Sequence, residues 1–143
     1  MIRKMEHRDI KFVAQLEQQC FSRPWSEQSL QQEVDNQNSL FLVYAEKQEI
    51  IGYIGMYLII DEADITNIAI SESYRGKGYG KKLLMEAVNR VFAEGYQAMT
   101  LEVRKSNRPA ICLYERAGFQ IEGERKKFYE CPTEDAFIMW KRK

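Results

Sequence analysis

Chemistry is most legible in Arg75-Gly76-Lys77-Gly78-Tyr79-Gly80, which Lys81 and Lys82 follow directly. The glycines let backbone N–H groups approach a ligand with no Cβ in the way. An apolar run precedes the segment and an amphipathic one follows, so it reads as a strand-to-helix turn. A helix start adds unpaired N–H donors and a partial positive charge of about +0.5. Arg75, Lys77, Lys81 and Lys82 add full cations. The constellation suits an anionic ligand, most simply a pyrophosphate. It is not a P-loop, because the GxxxxGK[ST] spacing and its hydroxyl are missing. Nor is it the dinucleotide fingerprint. Gly76 and Gly78 match the first two glycines, but position 81 is lysine and the expected acidic position falls at Ala98-Met99, where there is none. A tight turn with solvated basic residues is the other reading of the same segment.

The elements that position this turn follow from periodicity. Ile2 to Met5 suggests a short strand. Ile10, Val13, Leu16 and Cys20 recur at helical spacing, and Pro24 stops that helix. Ser26 is a natural N-cap for a second helix carrying Leu30 and Val34. Ser39 to Ala45 and Ile50 to Ile60 are apolar runs joined by polar Lys47-Gln48-Glu49, the pattern of an antiparallel hairpin. Asp61-Glu62-Ala63-Asp64 reads as an interruption, and Ile65 to Ile70 as the next strand. After the glycine turn, Leu83, Leu84, Ala87, Val88, Val91 and Phe92 line one helix face, which Gly95 ends. Ala98 to Val103 is a strand. Asn107 and Pro109 open a helix that Gly118 closes. Phe119 to Gly123 and Asp135 to Lys141 complete the strands. The class is α+β, a mixed and mostly antiparallel sheet with helices on both faces, in one domain over residues 1–143.

Composition narrows the function classes. Lys plus Arg and Asp plus Glu are each 21, so the formal charge is zero, against a general nucleic-acid binder. No apolar run is long enough for a membrane span, and the N-terminal residues show no secretory apolar region. Cys20, Cys112 and Cys131 form no CxxC pair, and the lone histidine, His7, reads as a surface residue. A cytoplasmic protein without a metal is the expectation.

The Arg75–Gly80 turn resembles the acetyl-CoA pyrophosphate loop of the GCN5-related N-acetyltransferases (GNATs). Thr66-Asn67-Ile68-Ala69-Ile70 looks like that superfamily's splayed fourth strand. Leu101-Glu102-Val103-Arg104-Lys105-Ser106-Asn107 and Ala110 to Phe119 resemble its second cofactor-side motif. A narrower likeness covers essentially the whole chain. It is carried by Pro24-Trp25-Ser26, Asp61-Glu62-Ala63, Asn67-Ile68-Ala69, Leu101-Glu102-Val103-Arg104, Leu113-Tyr114-Glu115 and Glu134-Asp135-Ala136. Those segments are similar to the members that acetylate a ribosomal protein's N-terminal alanine. The resemblance implies a GNAT fold with a splayed central strand pair, acetyl-CoA as co-substrate, and a protein N-terminus as acceptor. The acceptor it implies is small-subunit ribosomal protein eighteen.

It also implies roles. The α-amine's pKa lies near 8 and lysine's near 10.4, so at pH 7 the neutral fraction is roughly 300-fold larger for an N-terminus. A modest base suffices. Glu102, on a strand between apolar neighbours, matches the family's base, and partial burial raises a glutamate toward neutrality. Its bland alternative is a half-exposed glutamate paired with Arg104. Tyr114 matches the acid that protonates the departing thiolate; its alternative is a core aromatic. Asn107 matches a cofactor contact and also reads as a helix cap. Ile68, Ala69 and Ile70 would bind the pantetheine through backbone. Gly76, Lys77, Gly78, Tyr79, Gly80 and Lys81 would cradle the pyrophosphate. Trp25, Asp61, Glu62 (with Asp64) and Tyr129 are candidates for the acceptor site. Each has a bland reading, as core anchor or solvated turn. A small amine or a lysine is the alternative acceptor, and a non-catalytic CoA-binding module the alternative function.

Overall fold

The computed structural model describes all of residues 1–143. Its strands are β1 (Ile2–Lys4), β2 (Ser39–Glu46), β3 (Glu49–Ile59), β4 (Glu62–Ile70), β5 (Ala98–Arg104), β6 (Gln120–Tyr129) and β7 (Glu134–Arg142). Its helices are α1 (Ile10–Cys20), α2 (Glu27–Val34), α3 (Tyr79–Ala93) and α4 (Arg108–Arg116). The strands form one sheet in the order β1-β2-β3-β4-β5-β7-β6. Every pairing is antiparallel except β4 with β5, which α3 connects.

Both faces of the sheet are covered, so the central strands are apolar on both sides rather than alternating. Along β2, Leu40, Leu42 and Tyr44 enter the core under α3 and α4, which also holds Leu83, Leu84, Val88, Met99, Leu101 and Ile111. Phe41 and Val43, pointing the other way, join Val13, Leu16, Leu30 and Tyr53 under α1 and α2. Ser26 caps α2, accepting from the Ser29 N–H at 3.1 Å. No helix is long and apolar enough to cross a membrane.

The expected architecture is present, with three corrections. Asp61-Glu62-Ala63-Asp64 does not interrupt the sheet. The β3–β4 turn is only Ile60-Asp61, with Ile60 in the left-handed region (φ 57°), and β4 begins at Glu62. Ala63 and Ile65 are buried together, while Glu62 and Asp64 take the other face, as strand alternation requires. The β2–β3 turn is likewise tighter, confined to Lys47-Gln48, both at positive φ. Third, β6 runs to Tyr129, so Arg125-Lys126-Lys127 lie within it. The strand expected to end at Gly123 is therefore longer, with register irregularities on both sides of Arg125.

Candidate active site

A bulge opens the sheet. On β4, Ile65 pairs with Met56 and Asn67 with Gly55, leaving Thr66 as the extra residue. Its hydroxyl donates to the Gly55 carbonyl at 3.1 Å. A bulge bends its strand. The parallel β4–β5 ladder stops at Ile65↔Leu101, one residue before this bend. Beyond that point Asn67 to Ile70 and Glu102 to Arg104 stay bonded to β3 and β7 on their outer edges, and their inner edges diverge. The Ser71 N–H bonds back to Ile51 on β3. Alternation therefore leaves the N–H groups of Ile68 and Ile70 facing the gap, while Ala69 sends its methyl into the α1–α2 core. The Ile70 carbonyl on that edge accepts from Arg75 Nε at 2.9 Å.

The gap becomes a cavity of about 790 Å³. Glu102 and Arg104 meet it from one face of the sheet. Asn107, Ala110 and Tyr114 of the β5–α4 segment meet it from the other, and Cys20 to Arg23 and Phe128 to Pro132 form its walls. Glu102 is largely enclosed and pairs loosely with Arg125 on β6, Nε to Oε1 at 3.3 Å. Arg104 is not its partner; that guanidinium turns to Glu134 and the β6–β7 connection. The Tyr114 ring is buried edge-on to Phe119, centroids 5.9 Å apart, and its hydroxyl makes no hydrogen bond in the protein. Burial holds that phenol well above its ordinary pKa, with Tyr129 adding to the effect. A phenol so placed stays protonated and is available as a donor. Asn107 caps α4, accepting from the Ala110 N–H at 3.3 Å, so its capping and cavity-lining positions coexist.

At the same end of β4 lies the glycine turn. Gly76 and Gly78 sit at φ 76° and 86°. No N–H from Gly76 to Lys81 has an acceptor in the protein; the first helical bond of α3 is Lys82 N–H to Gly78. Lys77, Lys81 and Lys82 pair with no carboxylate, Lys77 and Lys82 lying over the rings of Tyr74 and Tyr79. Consecutive free N–H groups at a helix start, ringed by unpaired lysines, form an anion cradle. A Cβ at Gly76 or Gly78 would meet no protein atom within 4 Å, so the cradle is open to a ligand.

A model of the acetyltransferase (GNAT) family matches residues 10–119. This chain belongs to the GNAT family. Its relatives are N-acetyltransferases. It is 39% identical over 140 residues (97% of this chain, 93% of the relative) to a putative [ribosomal protein bS18]-alanine N-acetyltransferase of Bacillus subtilis. To the [ribosomal protein bS18]-alanine N-acetyltransferase of Haemophilus influenzae it is 36% identical over 142 residues (97% and 96%). The crystal structure of the Escherichia coli ribosomal-protein-S18-alanine N-acetyltransferase superposes with a TM-score of 0.92 at 29% identity, covering 99% of this chain and 92% of that one. GNAT membership makes the chain an acetyltransferase with acetyl-CoA as co-substrate, and the anion cradle, the free N–H edge of β4 and the adjoining cavity fit that molecule.

The GNAT site gathers some sequence candidates and not others. Glu102, Tyr114, Asn107, Ile68 and Tyr129 line one cavity. Trp25 does not reach it; its ring packs on Phe41 and Tyr57, centroids 5.7 and 6.5 Å away. The loop residues that line the cavity are Cys20 to Arg23 instead. Asp61 and Glu62 lie at the closed end of the β4–β5 ladder, Glu62 opposite Ala98 and the Asp61 carbonyl bonded to Gln97, away from the gap. Asp64 faces the same side as Glu102. One of its carboxylate oxygens is buried without a partner, and burial with the charge of Glu102 pushes its pKa up to about 6.

Glu17 escaped the sequence reading. Fully buried on α1, it accepts from Trp25 N–H (2.8 Å), Asn67 Nδ2 (3.1 Å) and the Tyr53 hydroxyl. It fastens the α1–α2 loop to β4 beside the opening. The signal was available: Ile10, Val13 and Glu17 share one helical face, and a carboxylate on an apolar face asks for donors.

Proposed function

We propose that this chain transfers the acetyl group of acetyl-CoA to the N-terminal α-amine of a protein, the N-terminal alanine of ribosomal protein bS18 being the acceptor to test first. The observation that carries the reading is the single cavity through the opened sheet, which joins a carboxylate, a phenol and a free backbone edge beside an anion cradle. The activity by which the relatives are named supports the choice of acceptor.

In this reading the N–H groups from Gly76 to Lys81 and the cations of Lys77 and Lys81 bind the pyrophosphate. Ile68 and Ile70 hold the pantetheine and orient the thioester carbonyl through backbone N–H groups. Asn107 adds a polar contact from the α4 side. Acetyl-CoA supplies the thioester carbon that the amine attacks. Glu102 takes the proton of the acceptor ammonium, and Tyr114 gives its own to the departing thiolate. Burial raises the departing thiol as it raises the phenol, so in one dry site the two stay close enough for that transfer. Tyr129, half-buried at the cavity wall, contacts the acceptor chain.

The test is a thiol-release assay with acetyl-CoA and two peptides. One copies the ribosomal protein's N-terminus; the other has a blocked α-amine and one internal lysine. Turnover confined to the free N-terminus is the expected result. Turnover confined to the lysine peptide, or none on either with acetyl-CoA still bound, refutes the N-terminal reading and directs attention to small amines.

A further inference from the structure

The most heavily engaged side chain at the cavity is Arg104. It sits on β5 two residues beyond Glu102, on the same face of the sheet. Nη1 donates to the Pro132 carbonyl at 2.9 Å and to Glu134 Oε1 at 3.2 Å, and Nη2 donates to the Glu130 carbonyl at 2.9 Å. The guanidinium lies 4.5 Å from the centroid of the Tyr129 ring. Those partners make up the β6–β7 connection, one wall of the cavity. Glu134 accepts a second hydrogen bond, from the Ser106 N–H at 2.7 Å, in the turn that leads to Asn107 and α4. One guanidinium thus fixes two carbonyls and an aromatic ring of the wall, and through Glu134 ties them to the turn that begins the helix of Tyr114.

We propose that Arg104 is a positioning residue for the acceptor substrate, holding Tyr129 to Pro132 in the shape that receives the amine-bearing chain over Glu102. This rests on the reading of the cavity as the acceptor site. The guanidinium's planar fork matters, not its charge alone. A lysine ammonium presents three donors on a flexible stem and cannot bridge two carbonyls and a carboxylate in one plane while stacking on a ring. The wall's other ties are the Tyr129–Glu134 strand pair and a long contact from Arg23 to Cys131 Sγ at 3.7 Å. Across the cavity mouth, Arg23 pairs with Glu130 at 2.8 Å, but both side chains are about two-thirds exposed, a setting in which ion pairs stabilise weakly.

The experiment compares wild type with Arg104→Lys and Arg104→Gln. It measures kcat and KM for the N-terminal peptide, the acetyl-CoA Kd by calorimetry, and the 19F spectrum of protein labelled with 3-fluorotyrosine. The Tyr129 resonance is assigned by its loss in Tyr129→Phe. In both variants the peptide KM is expected to rise about tenfold or more, the consequence of losing charge-assisted hydrogen bonds. We expect kcat to stay within about threefold and the acetyl-CoA Kd within about twofold, since the anion cradle is untouched. The Tyr129 resonance moves or broadens. An unchanged KM and an unmoved resonance overturn the proposal. So does a parallel loss of peptide and acetyl-CoA binding, the mark of a general structural role. Recovery of wild-type KM by Arg104→Lys overturns the fork argument. Failure of the acceptor reading shows separately, as absence of amine acetylation by wild type, and the fluorine signal still tests the positioning.

Discussion

Replacing Glu17 by alanine removes one acceptor shared by donors from three elements. Tyr53 is fully buried, so its hydroxyl loses its partner where water cannot replace it, at about 1–3 kcal/mol. The Trp25 N–H and the Asn67 amide are partly buried and rehydrate in part, each adding something below that range. The sum, about 2–4 kcal/mol, is set mainly by the stranded Tyr53 hydroxyl. At roughly 3 °C per kcal/mol for a chain of this size, the melting temperature falls by about 10 °C. Urea denaturation monitored by tryptophan fluorescence measures the change. Tyr53→Phe supplies the internal control. Once the hydroxyl is gone, Glu17→Ala strands one donor fewer, so the double variant is more stable than the sum of the singles by at least about 1 kcal/mol. Strict additivity, or a Glu17→Ala cost below about 1 kcal/mol, refutes the claim that this carboxylate is a shared acceptor.

Further outcomes test the chemistry. Tyr114→Phe keeps the ring packing and loses no hydrogen bond within the protein. Its stability stays within about 0.5 kcal/mol while turnover falls about 100-fold or more; unchanged turnover removes Tyr114 as the acid. Glu102→Gln lowers turnover by a similar factor with the acetyl-CoA Kd held within about twofold, and an equal loss of cofactor binding counts against a base. Gly78→Ala forces a side chain to φ 86° with a strain of about 1–2 kcal/mol. Because its Cβ meets no protein atom, the accompanying loss of acetyl-CoA affinity in calorimetry reports the ligand itself. For Asp64 the folded pKa, about 6, exceeds the ordinary value of 3.8, so between those limits the folded chain holds a proton the unfolded chain has released. Its effect on stability therefore worsens as pH rises from about 4 to 6. Asp64→Asn is expected to be more stable than wild type at pH 7, by a margin that closes near pH 4. A margin independent of pH, in paired urea titrations, contradicts this.

The anion cradle was legible because its chemistry is local: glycines at positive φ and lysines with no acid nearby are written in six consecutive residues. Glu102 and Tyr114 were legible only through resemblance, since nothing in their spacing says that a strand and a helix on opposite faces open into one cavity. That depends on a single extra residue, Thr66, whose bulge has no sequence mark. The acidic stretch at Asp61–Asp64 was misread because charge suggested a turn, while Ala63 and Ile65 already alternated as a strand does. An isoleucine in the left-handed position of the true turn defeats residue preference, which favours Asn or Gly there. Trp25 was assigned to the acceptor by its loop, yet its ring found Phe41 and Tyr57, and only packing in three dimensions decides between those fates.

The opening between β4 and β5 is lined from both faces of the sheet. On the proposed reading the two substrates approach from opposite sides and meet in the gap, so neither blocks the other's doorway. Selection can then work on each doorway separately. Residues 20–23 and 128–132 can change to suit a new acceptor while α3, α4 and the glycine turn stay as they are. A family built on this opening can diversify what it acetylates without relearning how to hold the acetyl donor.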